Sequence, residues 1–423
     1  MPIVIATISL FGTELSLWAE DTATAIFDPS FRTMKIWNPD DFMGTPVIRL
    51  GSEDRLWLTF DQLAYDREEL GASLIHCNAD WQPSALQETE YLDSFNFEDI
   101  EDFGYSTNTF QHYVNYRIEI PSEKLRPVKS GNYLLRVFPR DTPDDTLLQA
   151  RFQVVEPLVS TTGKVSTRTD RGTDNHWQQL ELDIDLRQLQ VSNPYTDLTI
   201  KVSQNGDPNT SRTLTAPLRT DGKRITYAHQ PALIFPALNE YRRFETVRAS
   251  FPGIGVDSVR FDNDRYHAYL HTDRDRSEHE YVYDQTQQGR FLIREYNATD
   301  SDLAADYINV HFSLDFPEIF NADVYVEGEM TGYRHDDTNR MTFDRESGMY
   351  LLEMPLKQGS YNYRYTVIGR DKEGNPGTTG GHPDTIEGNH WETQNEYQVE
   401  VYHRPPGARA DRLVGYATLR SHR

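Results

Sequence analysis

The chain has 423 residues, 37 % of them hydrophobic and 12 % aromatic, which suffices for two to four folded domains and excludes a disordered chain. Its 66 acidic and 42 basic side chains give a net charge of −24, which repels phosphate backbones and anionic lipid and sets general nucleic-acid binding aside. A single cysteine, Cys77, excludes an internal disulfide and zinc sites built from several cysteines.

In chain order, residues 1–26 open on a fairly apolar stretch, PIVIATISLFGTELSLWA, with no basic residue before it and Glu14 within it. It reads either as a weak export signal or as a first strand. No run of eighteen apolar residues exists anywhere, so no helix is expected to span or insert into a membrane.

From there the dominant signal is period-two alternation, which places every second side chain on one face of a strand. Leu56, Leu58 and Phe60 alternate in RLWLTFD, and Leu180, Leu182, Ile184 and Leu186 alternate with acidic residues. The pattern recurs at Leu198, Ile200 and Val202, at Val310 to Phe316, at Tyr361 to Val367, and at Tyr397, Val399 and Val401. Asn205-Gly206 and Asp221-Gly222 supply the positive φ angles of tight hairpins. The acidic stretch 96–103 reads as one helical turn. The fold class is therefore all-β, consecutive β-sandwich domains. Expected boundaries lie at a proline after RFQVVE and in the polar NATDSDLAA, giving domains 27–157, 158–302 and 303–423.

The densest polar cluster is residues 73–97, SLIHCNADWQPSALQETEYLDSFNF. On a strand, His76, Asn78 and Asp80 share a face, the minimum for a ligand or acid-base site. Asn and Asp also begin turns, and Pro83 follows, so a structural turn is the first reading and a partner-facing surface the second. Trp81, Tyr91 and Phe95 complete this candidate binding set. Asp262, Asp264, Asp273 and Asp275 lack the calcium-loop pattern and carry Arg274 and Arg276 between and beside them, so they read as surface strand charges. Glu240, Arg242, Arg243 and Glu245 read as local ion pairs on a strand edge, and His382 and His390 as loop residues. No nucleophile elbow, phosphate loop or zinc-protease motif occurs, so no catalytic residue, metal or cofactor is assigned.

Two resemblances follow from the motifs. VYVEGEMTGY followed by Leu356, Gly359, Tyr361 and Tyr363 resembles the immunoglobulin-like early-set fold of glycogen-binding-type carbohydrate modules. The ordered series LWLTFDQL, SLIHCNADWQPSAL, EYLDSFN, SGNYLLRVF, NPYTDLTIKVSQN, FPALNEYRRFE, LLEMPLKQGSYNYRYTV and EGNHWETQNEYQVEVYHRP, with a final DRLVGY, resembles the type IX secretion system plug protein family of the Bacteroidetes over residues 27–416. That resemblance implies a non-enzymatic periplasmic protein that binds the outer-membrane translocon barrel and closes its periplasmic opening. It departs from the family pattern at Ala237-Leu238, where relatives tend to carry Gly-Gly before Asn-Glu. The alternative is a periplasmic carbohydrate-binding protein, for which exposed rings at Trp81, Tyr363 and Trp391 would speak.

Overall fold

The computed structural model describes residues 22–421 except 173–175, 373, 376, 378 and 379. Residues 1–21, which hold most of the signal-or-strand segment, lie outside the described residues; Ala25–Ile26 is a short strand. The described chain is 47 % strand and 6 % helix, and its helices are no longer than four residues, so strand pairing decides the architecture.

The first unit packs two sheets face to face. One contains Phe31–Trp37, Leu56–Gln62, Val114–Ile120 and Asp102–Tyr105. The other is built on Leu70–Cys77, Gly131–Pro139 and Leu148–Val155, with Val47–Arg49 added in parallel at its edge. Register explains the core: Leu56, Leu58 and Phe60 lie opposite Ile120, Ile118 and Tyr116, and all six are buried. Alternation thus aims one face of both strands inward, against Leu74, Leu135 and Phe152 of the facing sheet. The acidic stretch 96–103 forms two short strands, Glu98–Asp99 and Asp102–Tyr105, and not a helical turn; the helical turn lies earlier, at Glu88–Tyr91.

The middle unit has one sheet built on Ser160–Ser166, Trp177–Asp185 and Arg224–Tyr227. Its second sheet runs Asp207–Thr213, Leu198–Gln204, Glu396–His403, Arg412–Arg420. Asn205 (φ 56°) and Gly206 (φ 71°) make the tight turn between the first two of these strands. The third unit packs a sheet of Arg242–Glu245, Gly359–Gly369, Phe291–Ile293 and Ala322–Glu327 on a sheet of Val256–Asp262, Arg265–Leu270, Tyr307–Asp315, Met349–Lys357 and Thr342–Asp344.

The sheets therefore divide the chain differently from the expected boundary at 302. The strands from Arg242 to Ile293 belong with the third unit, and the last two strands return to close the middle one. The reason is that alternation marks a strand but not its partner. Val399 and Val401 lie opposite Val202 and Ile200, two hundred residues upstream in the middle core.

Gly359 lets the strand it begins lie close against its neighbour Phe291–Ile293 in the same sheet. A Cβ there would lie 2.2 Å from the carbonyl oxygen of Leu292. After it, Tyr361, Tyr363 and Tyr365 enter the core, while the opposite face, Asn362 and Arg364, is also buried. For Arg364 that second burial belongs to the joint with the middle unit.

Candidate functional site: the joints and an aromatic cleft

The strand Leu70–Cys77 ends before the predicted candidates converge. Asn78 N–H donates to Gln82 O (2.9 Å), Trp81 N–H to Asn78 O (2.9 Å), and Trp81 sits at φ 65°, so residues 78–82 are a tight turn. His76 is buried, its Nδ1 2.9 Å from Ser84 Oγ and its Nε2 3.1 Å from Ser130 O, and burial pushes its pKa down toward the neutral imidazole. Tyr91 is a core residue that donates to Leu74 O (3.1 Å). Asp80 is exposed and accepts from Gln82 N–H (3.0 Å). Phe95 is 91 % exposed, and Trp81 is half-buried with the Arg151 guanidinium 4.4 Å from its ring centroid. The six do not form one site.

Asn78 and Ala79 do, however, grip the far end of the chain. Asn78 Oδ1 accepts from Arg404 Nη2 (2.5 Å) and Asp411 N–H (3.1 Å). Ala79 N–H donates to Asp411 Oδ2 (2.9 Å), and its carbonyl accepts from Lys201 Nζ (2.6 Å). Beside them Ala79, Val155, Tyr402 and Leu413 make a small apolar cluster. The Tyr402 hydroxyl lies 2.8 Å from Asn132 Oδ1 and 2.9 Å from Gln153 Nε2. This is the joint of the first and middle units.

The joint of the first and third units is ionic and buried. Asp61 is fully buried; its Oδ2 accepts from Lys357 Nζ and from the Tyr307 hydroxyl, each at 2.7 Å, and its Oδ1 from Asn115 Nδ2 (2.8 Å). Lys35 donates to Phe291 O (2.5 Å) and pairs with Glu329 (3.2 Å); burial lowers its pKa despite that carboxylate. At the joint of the middle and third units, Arg364 bridges Asp207 (2.6 Å) and Glu327 (2.7 Å), and His335 Nε2 lies 2.6 Å from Glu327. Burial, then the neighbouring Glu327, pushes the Asp207 pKa up; for Glu327, Arg364 and His335 outweigh burial and pull it down.

Inside the third unit two sequence readings are corrected. Arg242 is no strand-edge partner of its neighbours: it donates to Glu387 Oε1 (3.0 Å) and Asp273 Oδ1 (2.7 Å), both remote in sequence. Asp273 is no surface charge, since Oδ2 also accepts from the Tyr363 and Tyr365 hydroxyls at 2.7 Å. Glu387, buried, receives Arg276 as well (2.5 Å). Burial pushes its pKa up, but Arg242 and Arg276 prevail and hold it down at about 2. At the family departure, Leu238 adopts φ 56°, the left-handed region where glycine is strain-free. It is held there because its N–H donates to Asn389 Oδ1 and its carbonyl accepts from His390 N–H and Thr393 Oγ1, all at 2.8 Å.

The surface feature that sequence reasoning missed is a cleft of about 450 Å³ between the first and third units. Trp37, Phe42, Trp57 and Phe103 line it with Lys35, Asp102 and Arg117, facing Leu292 and Leu303. Trp37 lies opposite Trp57 in register, ring centroids 5.6 Å apart and edge-on at 86°, and Arg117 covers Trp57 at 4.6 Å. The signal was present in RLWLTFD: Trp57 alternates out of phase with Leu56 and Leu58, so it belongs to the outer face. Aromatic edges flanked by both charge signs suit recognition of a polypeptide surface.

Three sandwiches, each joined to the other two through buried ion pairs or an apolar cluster, define an all-β protein of braced sandwich units. Residues 31–156 of the chain match the family model of the type 9 secretion system plug protein first domain. A crystal structure of a hypothetical protein from Parabacteroides merdae ATCC 43184 is similar over almost all of both chains: 37 % identity, TM-score 0.90, 94 % of this chain and 99 % of that one. Alkylpurine DNA glycosylase AlkC of Pseudomonas fluorescens (13 % identity, TM-score 0.18, 30 % of each chain) shares too little shape to bear on fold or function. No curated protein matches the chain. The family associates the protein with type IX secretion and the cell envelope, and suggests a non-catalytic component. Among the described residues no helix is long and apolar enough to cross a membrane.

Proposed function

We propose that the protein works in the periplasm, where it binds the outer-membrane translocon barrel of the type IX secretion system and seals the barrel's periplasmic opening. The observation that carries this reading is the match of residues 31–156 to the first domain of the plug family. The three-way bracing supports it physically. A body that closes a wide pore must resist deformation, and each joint here places buried ions or an apolar cluster between different units. A seal must also release, which suits a polar docking face of moderate area better than a permanent apolar one. The third unit, in this reading, is an early-set immunoglobulin-like domain used as structure.

The test is affinity capture of the tagged, full-length protein from native envelopes, with mass identification of what co-purifies. The expected result is recovery of the translocon barrel with wild-type protein and its loss when Trp37 and Arg117 are replaced together by alanine. Recovery of no outer-membrane barrel would contradict the proposal. Glycan binding, the second reading, finds less support. Tyr363 lies in the third core, Trp81 carries Arg151, Trp391 is half-buried, and Trp37 and Trp57 meet edge-on, which offers no coplanar platform for a sugar ring.

A further inference from the structure

The outer face of the larger sheet of the third unit brings together three side chains that no motif connects. His267 lies on Arg265–Leu270, His311 on the adjacent strand Tyr307–Asp315, and Glu353 on the next, Met349–Lys357. Register puts them side by side: His311 is directly opposite Glu353 on one side and Tyr269 on the other, with His267 one diagonal step away. One ligand atom from each lies within 4.8 Å of the other two. His267 Nδ1 and His311 Nε2 are 2.9 Å apart, and His311 Nδ1 is 3.7 Å from Glu353 Oε2.

The surrounding groups fix the orientation of these ligands. Asn309 Nδ2 donates to Glu353 Oε1 (2.7 Å), which leaves Oε2 turned toward the imidazoles. Tyr269 stacks on His311 with ring centroids 4.3 Å apart and planes within 8°, setting the ring plane. The neighbouring cation, Arg260, is drawn over the Tyr269 ring at 5.1 Å. Such outer partners are what metal sites use to hold their ligands in place.

Two imidazole nitrogens 2.9 Å apart share one proton, and the other His311 nitrogen reaches Glu353 only at 3.7 Å, too far for a hydrogen bond. One ion can take only one nitrogen of His311; the three ligand atoms lie within 4.8 Å of one another, so a cation at about 2.0–2.2 Å from each would draw the Glu353 carboxylate, which faces His311 Nδ1, round toward the ligating nitrogen.

We propose that His267, His311 and Glu353 form a three-ligand site for one divalent transition-metal ion of the zinc class, with the remaining coordination open to solvent or to a partner's side chain. Two imidazoles and one carboxylate are the donors that borderline ions of this class favour, whereas calcium and magnesium take oxygen. The ion would tie three neighbouring strands together. This inference stands apart from pore sealing: its test uses purified protein and no translocon.

The test is isothermal titration of the chelator-stripped, full-length protein with zinc sulfate, repeated with cobalt to read its visible absorption bands. Wild type is expected to bind one equivalent, with melting temperature rising on addition of zinc. Glu353→Gln, at an exposed and fold-neutral position, should weaken binding at least tenfold, and Asn309→Ala, which touches only the carboxylate, about tenfold. The pair His267→Ala/His311→Ala should abolish the equivalent and the cobalt bands while the far-ultraviolet spectrum is unchanged. Absence of binding at millimolar zinc would overturn the proposal. So would an unchanged single equivalent in both Glu353→Gln and the double-histidine variant, which would assign the ion to other histidines.

Discussion

At Glu387 two guanidiniums meet one carboxylate inside the third unit, and the direction of its pKa shift shows which influence wins. Burial alone would raise it; Arg242 and Arg276 bring it down from 4.5 to about 2. A carboxyl with a lowered folded-state pKa adds stability above its unfolded value and loses it as pH falls toward the folded one. Melting temperature should therefore drop between about pH 4.5 and 2, and Glu387→Gln should flatten that part of the profile. At neutral pH the same substitution leaves the almost buried Arg242 and the half-buried Arg276 short of their carboxylate and should cost about 3 kcal/mol by chemical denaturation. Trp81 makes the opposite case. Its ring is half-buried with Arg151 above it, so Trp81→Ala should cost about 1–2 kcal/mol, well below the loss of a core tryptophan.

At the scale of elements, the middle unit borrows half of one sheet from the end of the chain. Glu396–His403 and Arg412–Arg420 supply two of its four strands and the buried Tyr397, Val399, Val401 and Val414. A chain ending at residue 395 should consequently lose the middle unit, seen as rapid proteolysis within residues 158–237, even though no residue there is changed. Gly359→Ala should also destabilise, because its Cβ would meet a backbone oxygen that cannot move aside. These elements show what was legible in the sequence. Strand faces were, since Leu56 to Phe60 and Leu180 to Leu186 alternate and their apolar side chains all lie in a core. Hairpins were too, at Asn205-Gly206 and Asp221-Gly222, which both adopt their turns. Strand partners were not: nothing local in Val399 announces Val202. The burial of Arg242, Asp273 and Arg364 was equally hidden, because a charge reads as surface until the opposite charge is brought to it from far along the chain. His76 and Asn78 looked like one face of a strand, and the turn that begins after Cys77 separates them.

At the scale of the whole molecule, the joints carry the account. Lys357→Ala would strand Asp61 without a counter-charge between the first and third units and should cost about 3–5 kcal/mol, whereas Asp61→Asn with Lys357→Met should recover much of it. A plug braced in this way has one consequence that can be read in living cells. The most direct measurement is uptake of a large hydrophilic solute, such as vancomycin, by three strains: wild type, a deletion of this protein, and a deletion of both this protein and the translocon barrel. The account predicts a leak in the single deletion and a restored barrier in the double one, because the leak belongs to an unsealed pore. A single deletion with wild-type permeability, or a leak that persists once the barrel is gone, would contradict it.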